Sequence, residues 1–393
     1  MRPLLCLSLI LIAIFARAQN IQGKIIDEVT GSGIPFVSIG IVGTNAASVS
    51  NENGDFILKA PAFPAKLRVS HVSYLLTELD LTESQEKLVI SLKPASISLS
   101  EVTIDPFRAQ RIVKEALEKA KIAGSLNFYV NAFYRQLTSL NNTPSQIYEL
   151  FYDLKWNTMS VQGWLAKKSR YAQSSQETMF TLTNMSYLTF KNSGYLFPEK
   201  GGKFVSLQTL PLYQFTIEKY IEQANQKIAV ITCKYKSPRK NLYYVNTTYY
   251  IGVDDSKIYR VENSLFNLPM DFKGVSPKIP PITTTVATFN GNNTAIPVLE
   301  SVSTKMYLNL SANERPLHVG LSSLLIVYKA DAAPNDQKFN NLDRKTKDRT
   351  VIESIKYDPE FWKDNPIVKQ TALEDSFIKM MEGKSAFGTM INP

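Results

Sequence analysis

Phe128-Tyr129-Val130-Asn131-Ala132-Phe133-Tyr134-Arg135 alternates as a β-strand does and lacks the three-to-four-residue recurrence of an amphipathic helix. Ile147-Tyr148-Glu149-Leu150-Phe151-Tyr152-Asp153-Leu154 repeats the pattern. Further runs follow at Ile228 to Tyr235, Tyr243 to Ile251, Ile258 to Phe266, Val298 to Leu308 and Ser323 to Tyr328. Strands this long predict one large, curved antiparallel sheet, half-barrel-like, with one face buried. Thr247 to Asp255 followed by Lys257 to Glu262 reads as one of its hairpins, closed by a polar turn.

Upstream the runs shorten: Ile21 to Asp27, Pro35 to Val42, Asp55 to Lys59, Lys66 to Ser73 and Lys87 to Leu92. Thr30-Gly31-Ser32-Gly33, Gly43-Thr44-Asn45 and Asn51-Glu52-Asn53-Gly54 separate them, a spacing that predicts a small all-β sandwich. Asn53-Gly54 predicts a hairpin turn, because both residues tolerate positive φ. Asn51 to Asp55 is oxygen-rich, but it lacks the spaced acidic ligands and terminal bidentate glutamate of a calcium loop.

The ordered string Ile21-Gln22-Gly23-Lys24-Ile25-Ile26-Asp27, Thr30-Gly31, Ile34-Pro35-Phe36-Val37-Ser38-Ile39, Gly43-Thr44 and Ser50-Asn51-Glu52-Asn53-Gly54-Asp55-Phe56 resembles the carboxypeptidase regulatory-like domain. That resemblance implies a transthyretin-like, non-catalytic sandwich over Ile21 to Lys93, of a kind that often precedes larger envelope proteins. The hairpin from Thr247 to Glu262 is similar to ones in periplasmic lipoprotein carriers and related half-barrel proteins, which implies a sheet wrapping an apolar cavity. Phe133-Tyr134-Arg135-Gln136 and Tyr357-Asp358-Pro359-Glu360-Phe361-Trp362-Lys363-Asp364-Asn365-Pro366 resemble a family of uncharacterised envelope proteins with a regulatory-like N-terminus, which implies no catalytic residue.

Between sandwich and sheet, Ile97 to Ile104 reads as a last or connecting strand. Asp105-Pro106 is expected to open a helix, with Ile112, Val113, Ala116, Leu117 and Ala120 on the docking face and a stop at Gly124. In the tail, Asp358-Pro359 is expected to start a helical turn whose Phe361 and Trp362 bury apolar area. Thr371-Ala372-Leu373-Glu374 reads as a capping box, followed at helical spacing by Leu373, Phe377, Met380 and Met381 until Gly383.

At the N-terminus Arg2, the apolar run Leu4 to Phe15 and Ala16-Arg17-Ala18 have the order of a cleaved secretory signal; the run is too short for a membrane span. Cys6 lies inside the apolar run, not at its end where lipid attachment would need it. Removal of the signal leaves Cys233, so packing and not an internal disulfide must hold the chain. The formal net charge of +9 includes Arg2 and Arg17. The remaining excess is dispersed, with clusters at Lys167 to Arg170, Lys234 to Lys240 and Arg344 to Arg349, and reads as solvated surface and not a nucleic-acid groove. Attraction to anionic envelope lipids or sugars stays open.

A zinc carboxypeptidase needs two histidines and a glutamate as ligands plus a carboxylate base. The two histidines, His71 and His318, have no such spacing, and structural roles are expected for both, His71 in a sandwich strand. Cys233, mid-strand, is expected to be buried and inert. No Gly-x-Ser-x-Gly elbow or glycine-rich phosphate loop occurs, and the two Ser-x-x-Lys matches, at Ser237 to Lys240 and Ser376 to Lys379, lack the Lys-Thr-Gly partner. The expected plan is a signal at 1–18, the sandwich at 19–95, a linker strand and helix at 96–124, the β domain at 125–357 and a helical clamp at 358–393. The expected function is a non-catalytic, exported, periplasmic or outer-membrane-associated binding or assembly protein, without cofactor or metal. Its partners would be an envelope protein or a small apolar ligand, with lipid, peptide or glycan as candidates and peripheral membrane contact open. The alternative is a glycan or peptide hydrolase with two dispersed carboxylates.

Overall fold

The computed structural model describes residues 19–44, 46–98, 105–174, 184–195, 204–223, 226–268, 276–277, 282–290, 295–312, 315–330, 337–365 and 367–388. The signal at 1–18 and most of the connecting stretch Ile97 to Ile104 lie outside these residues. The chain is mainly β: a two-sheet N-terminal sandwich precedes a large antiparallel sheet, with few helices.

The sandwich contains β1 (Gln19–Asp27), β2 (Ser38–Ile41), β3 (Ala47–Val49), β4 (Asp55–Ala60), β5 (Ala65–Ser70), β6 (Thr77–Leu81) and β7 (Leu88–Leu92). One sheet has the order β4-β1-β7 and the other β3-β2-β5-β6. Alternate residues Ile21, Ile25, Phe56, Leu58, Ile39, Leu67 and Val69 meet between the sheets and are buried. The Asn53-Gly54 turn is not a hairpin, because β3 pairs with β2 while β4 pairs with β1, so the turn carries the chain from one sheet to the other. The Asn51 side chain accepts the N–H groups of Asn53 and Asp55 at 2.9 and 3.0 Å, closing the turn locally. Gly54 has φ +83°, and a Cβ there would sit 2.4 Å from the Ile25 carbonyl oxygen, so the crossing requires glycine.

The second unit contains β8 (Ser96–Ser98), α1 (Arg108–Ile122), β9 (Phe128–Leu140), β10 (Thr143–Asn157), β11 (Ser160–Gln173), α2 (Met185–Lys191), β12 (Tyr213–Gln223), β13 (Gln226–Tyr235), β14 (Tyr244–Gly252), β15 (Ile258–Phe266), β16 (Ser276–Pro277), β17 (Ile282–Asn290), β18 (Val298–Ala312) and β19 (Arg315–Lys329). The tail adds α3 (Asp348–Glu353), α4 (Pro359–Asp364) and α5 (Ala372–Gly383). The sheet order is β11-β10-β9-β19-β18-β17-β15-β14-β13-β12-β8, with β16 beside β18, and it does not close. The hairpin expected from Thr247 to Glu262 is β14 and β15.

Both faces of the sheet are buried around β9 and β10, where alternation predicted one. On the inner face Val130, Ala132, Tyr134, Tyr148, Leu150, Tyr152 and Trp156 pack with Val113, Ala116, Leu117 and Ala120 of α1. On the outer face Phe133, Phe151 and Ile326 meet Val49 and Phe36 of the sandwich and Phe361, Trp362 and Val368 of the tail. Farther along, Leu137, Ile147 and Ala172 lie beneath Phe377, Ile378 and Met381 of α5. Alternation separates two faces; cover over the second comes from segments distant in sequence.

Three local expectations are corrected. Asp105 does not cap α1, which begins at Arg108; its carboxylate accepts the Phe107 N–H at 2.9 Å and binds Arg111 at 2.6 Å, closing the turn before the helix. Leu373 and Met380 of α5 face solvent, while Ile378 joins the docking face. His71 lies just past β5, in a turn at the edge of the sandwich and not in a strand. The tail caps form as expected: Asp358 accepts the Phe361 N–H, and Thr371 and Glu374 make a reciprocal capping box.

Candidate binding cleft at the sandwich–sheet seam

The sandwich is fastened to the outer face of the sheet. Ser38 Oγ donates to Glu300 Oε1 at 2.6 Å, Glu52 pairs with Lys305 at 3.0 Å, and Gln223 Nε2 donates to the Val72 carbonyl at 2.9 Å. Ser48 and Asn51 donate to the carbonyls of Ile367 and Lys369, so the tail joins the same seam.

A cleft of about 150 Å³ opens along this seam, lined by His71, Tyr74, Gln223, Gln226, Tyr259, Asn290 and Glu300 among others. Glu300 reaches it through a bulge: Phe289 pairs with Leu299 and Thr288 with Ser301, leaving Glu300 as the extra residue of β18. A bulge re-aims one side chain, and here it turns a carboxyl toward the sandwich. Burial pushes that carboxyl up from its ordinary pKa, against the opposing hydrogen bonds from Ser38 and Asn290. Gln226 Nε2 is 3.2 Å from Asp255 Oδ2, which also accepts from the Tyr259 hydroxyl at 2.7 Å, so these lining groups are held in place.

His71 Nδ1 accepts the Ser73 N–H at 3.2 Å, and Nε2 lies 3.3 Å from the Arg260 guanidinium. Burial, and secondarily Arg260, lowers its pKa to about 3, so the ring stays neutral. Asp348 has the opposite problem. It is buried behind the inner face, where the Ser186 hydroxyl and N–H donate to it, yet burial raises its pKa to about 6.

These two groups predict opposed pH dependences. Between pH 6.5 and 3 the unfolded chain protonates His71 and the folded one resists, so stability falls on acidification by ~1.4 kcal/mol per pH unit. Asp348 binds its proton more tightly when folded; its contribution is fully present below pH 3.8 and is lost as pH rises through 6. From pH 6 to 4 the slopes nearly cancel. Asp348→Asn is therefore expected to lose about 2–3 kcal/mol more than the parent across that interval in urea unfolding. Parallel curves for the two proteins would exclude the assignment.

A second cleft, of about 110 Å³, lies under α5 and includes Asn51, Glu52, Arg135 and Glu374. Its carboxylates are committed to ion pairs, Glu52 with Lys305 and Glu374 with Arg135 at 3.4 Å. Among the described residues Glu300 is the one carboxyl lining the seam cleft. Among the described residues no group of three or more His, Cys, Asp or Glu is placed to hold a metal. His318, on β19, bonds Asn309 at the surface, far in sequence from His71. Cys233 is buried on the inner face, where burial raises its thiol pKa far above the ordinary value.

The inner face carries a feature that alternation alone did not reveal. Register aligns Gln136, Ser323, Thr304, Thr285, Asn263 and Thr247 across β9, β19, β18, β17, β15 and β14 as one buried polar belt. Thr247 donates to Asn263 at 2.8 Å and Ser323 meets Thr189 at 3.0 Å. Gln136 Nε2, Thr138 Oγ1, Tyr148 OH, Thr283 Oγ1 and Thr304 Oγ1 have no hydrogen-bond partner among the described residues. Beyond the belt lies a separate apolar cluster of Leu140, Met306, Leu308, Leu310, Val319 and Leu321.

The sandwich also carries the family signal. Residues 21–104 match the CarboxypepD_reg-like domain. This regulatory-like domain is not a catalytic one, in keeping with the absence of zinc-ligand spacing around His71. The comparison with curated proteins returns no match. Among solved structures the chain is similar to the LolA superfamily protein NE2245 from Nitrosomonas europaea, with 10% identity over 58% of this chain and 94% of that one and a TM-score of 0.21. It is similar to MucB in complex with MucA(peri) with 9% identity over 54% and 93%, TM-score 0.19. At these scores the likeness carries no functional argument. No helix among the described residues is long and apolar enough to cross a membrane.

Proposed function

We propose that this chain is an exported, non-catalytic binding protein of the cell envelope, in which the regulatory-like sandwich forms one wall of the ligand cleft. The division proposed is a signal at 1–18, the sandwich at 19–95, the linker at 96–124, the β domain at 125–357 and the clamp at 358–393. The observation that carries this reading is Glu300: a bulge aims its carboxyl into the seam cleft, and Ser38 of the sandwich donates to it across the seam. A carboxyl, amides and phenols interleaved with Phe36, Leu76, Ile228 and Phe289 around a space of about 150 Å³ suit an uncharged, hydroxyl-rich ligand that also has an apolar face, such as one sugar unit of a glycan. Among the described residues Glu300 is the single carboxyl lining the cleft, whereas glycoside hydrolysis uses a pair, which favours binding over the hydrolase alternative.

Saturation-transfer NMR with envelope mono- and disaccharides tests this. Signal in the parent and its loss in Glu300→Ala are expected; no saccharide signal above that of the variant would remove the reading, and product release would restore the hydrolase.

An apolar ligand inside the sheet is a second reading, favoured by the cluster around Met306 and Leu308. The adjoining belt weighs against it, since each unpaired buried polar atom costs about 1–3 kcal/mol and an acyl chain supplies no partner. Mass spectrometry of the native protein separates the two readings through the identity of any copurifying molecule.

A further inference from the structure

At the outer-face rim, Tyr244 pairs with Phe266, Phe266 with Ile282, and Ile282 with Tyr307. Four adjacent strands thus present a row about 14 Å long, from the ordinary strand spacing. The Tyr244 and Phe266 rings stack at 4.7 Å with 9° between planes, and Tyr235 lies 5.5 Å from Tyr244. Tyr307 is 68% exposed and Ile282 48%, while Tyr244 and Phe266 are half-buried, so the row opens to solvent at its Ile282–Tyr307 end.

Beside the row is a basic segment made of the end of β13 and the loop that follows it. Lys234, Lys236, Arg239 and Lys240 are all exposed, and Asn267, next to Phe266, donates to the carbonyls of Arg239 and Leu242 at 3.1 and 2.8 Å. That anchor holds the loop against the end of the aromatic row. Among the described residues, the neighbouring ion pairs Lys227–Glu222, Lys257–Asp255 and Arg260–Glu262 leave the four cations out, and Lys236 donates to the Pro211 carbonyl.

We propose that this rim docks on an anionic lipid bilayer, the Tyr244–Phe266–Ile282–Tyr307 row entering the headgroup region and the basic loop facing lipid phosphates. Tyrosine suits that depth because its ring is apolar and its hydroxyl reaches water. Cations close to an anionic leaflet each add to binding and are screened by salt. A second copy of the chain would set like charges against one another, so charge complementarity selects the bilayer. The site is independent of the seam cleft.

The test is co-sedimentation of the full mature chain with vesicles of phosphatidylcholine, with and without phosphatidylglycerol. Binding only to the anionic vesicles, abolished by raised salt, is expected. Replacing Lys234, Lys236, Arg239 and Lys240 together with serine is expected to weaken it on the order of a hundredfold. Tyr307→Ser, at an exposed position that leaves the fold intact, is expected to weaken it as well. The proposal is overturned by no binding, by equal binding to neutral vesicles, or by self-association in place of vesicle binding. It is equally overturned if the loss follows serine replacement of Arg344, Lys345 and Lys347 while the rim variants bind normally.

Discussion

Glu149→Ala is expected to destabilise the protein by about 3–5 kcal/mol, the usual cost of leaving a buried charge without its partner. Glu149 is 1% exposed and stands between Arg135 and Arg170, its direct neighbours on the flanking strands. Arg135 Nε donates to one carboxylate oxygen at 2.6 Å and Arg170 Nε to the other. Burial alone would raise the Glu149 pKa, but Arg170 and Arg135 together outweigh it and hold the carboxylate below its ordinary value. The same guanidiniums hold the tail. Arg135 reaches Glu374 and the Val368 carbonyl, while Arg170 reaches Glu382 and lies 4.7 Å from the rings of Trp362 and Phe387. Loss of Glu149 therefore leaves two buried cations under-compensated and loosens α4 and α5. Urea unfolding measures the cost, and limited proteolysis should cut first near residues 358–388. Replacing Arg135, Glu149 and Arg170 together with apolar residues of similar volume is expected to recover much of the stability. A Glu149→Ala cost below about 1 kcal/mol, the level of a surface pair, would refute the role of this triad.

Trp156→Ala is expected to cost a similar ~3–5 kcal/mol, through cavity formation on the other face of the same strand. Trp156 is fully buried, with Phe128, Tyr195 and Phe289 at 5.7, 6.0 and 6.0 Å between ring centroids. Its Nε1 donates to the Ser193 carbonyl at 2.8 Å, tying the segment after α2 to the core. Trp156→Phe retains most of the apolar volume but leaves that carbonyl unpaired, so a smaller loss of about 1–3 kcal/mol is expected. The order Ala, Phe, parent in urea midpoints checks this. Equal losses for the two variants would show that packing around the ring does not set the cost.

The strands were legible because a period of two is local: Tyr134 and Phe133 must face opposite sides whatever surrounds them. The capping box at Thr371 and the Asp358-Pro359 helix start were legible for the same reason, since donor and acceptor lie within one turn. Asp105 misled because its turn bonds and a helix cap use the same residue type, and only backbone geometry separates them. The candidate cleft was illegible in the sequence. Ser38 and Glu300 are 262 positions apart, and no pattern near Glu300 marks it as a bulge that shifts its direction.

By itself the sequence determined a mainly β chain, a regulatory-like sandwich ahead of a long-stranded sheet, a mid-strand cysteine and no zinc-peptidase spacing. These follow from short-range sterics, residue chemistry and side-chain alternation. Only the tertiary structure decided that Asn53-Gly54 crosses between sheets, that both faces of β9 and β10 are covered, and that Arg135, Glu149 and Arg170 are buried together. Such outcomes depend on which distant segments meet, since desolvation and ion pairing arise only after remote parts of the chain exclude water from the same place.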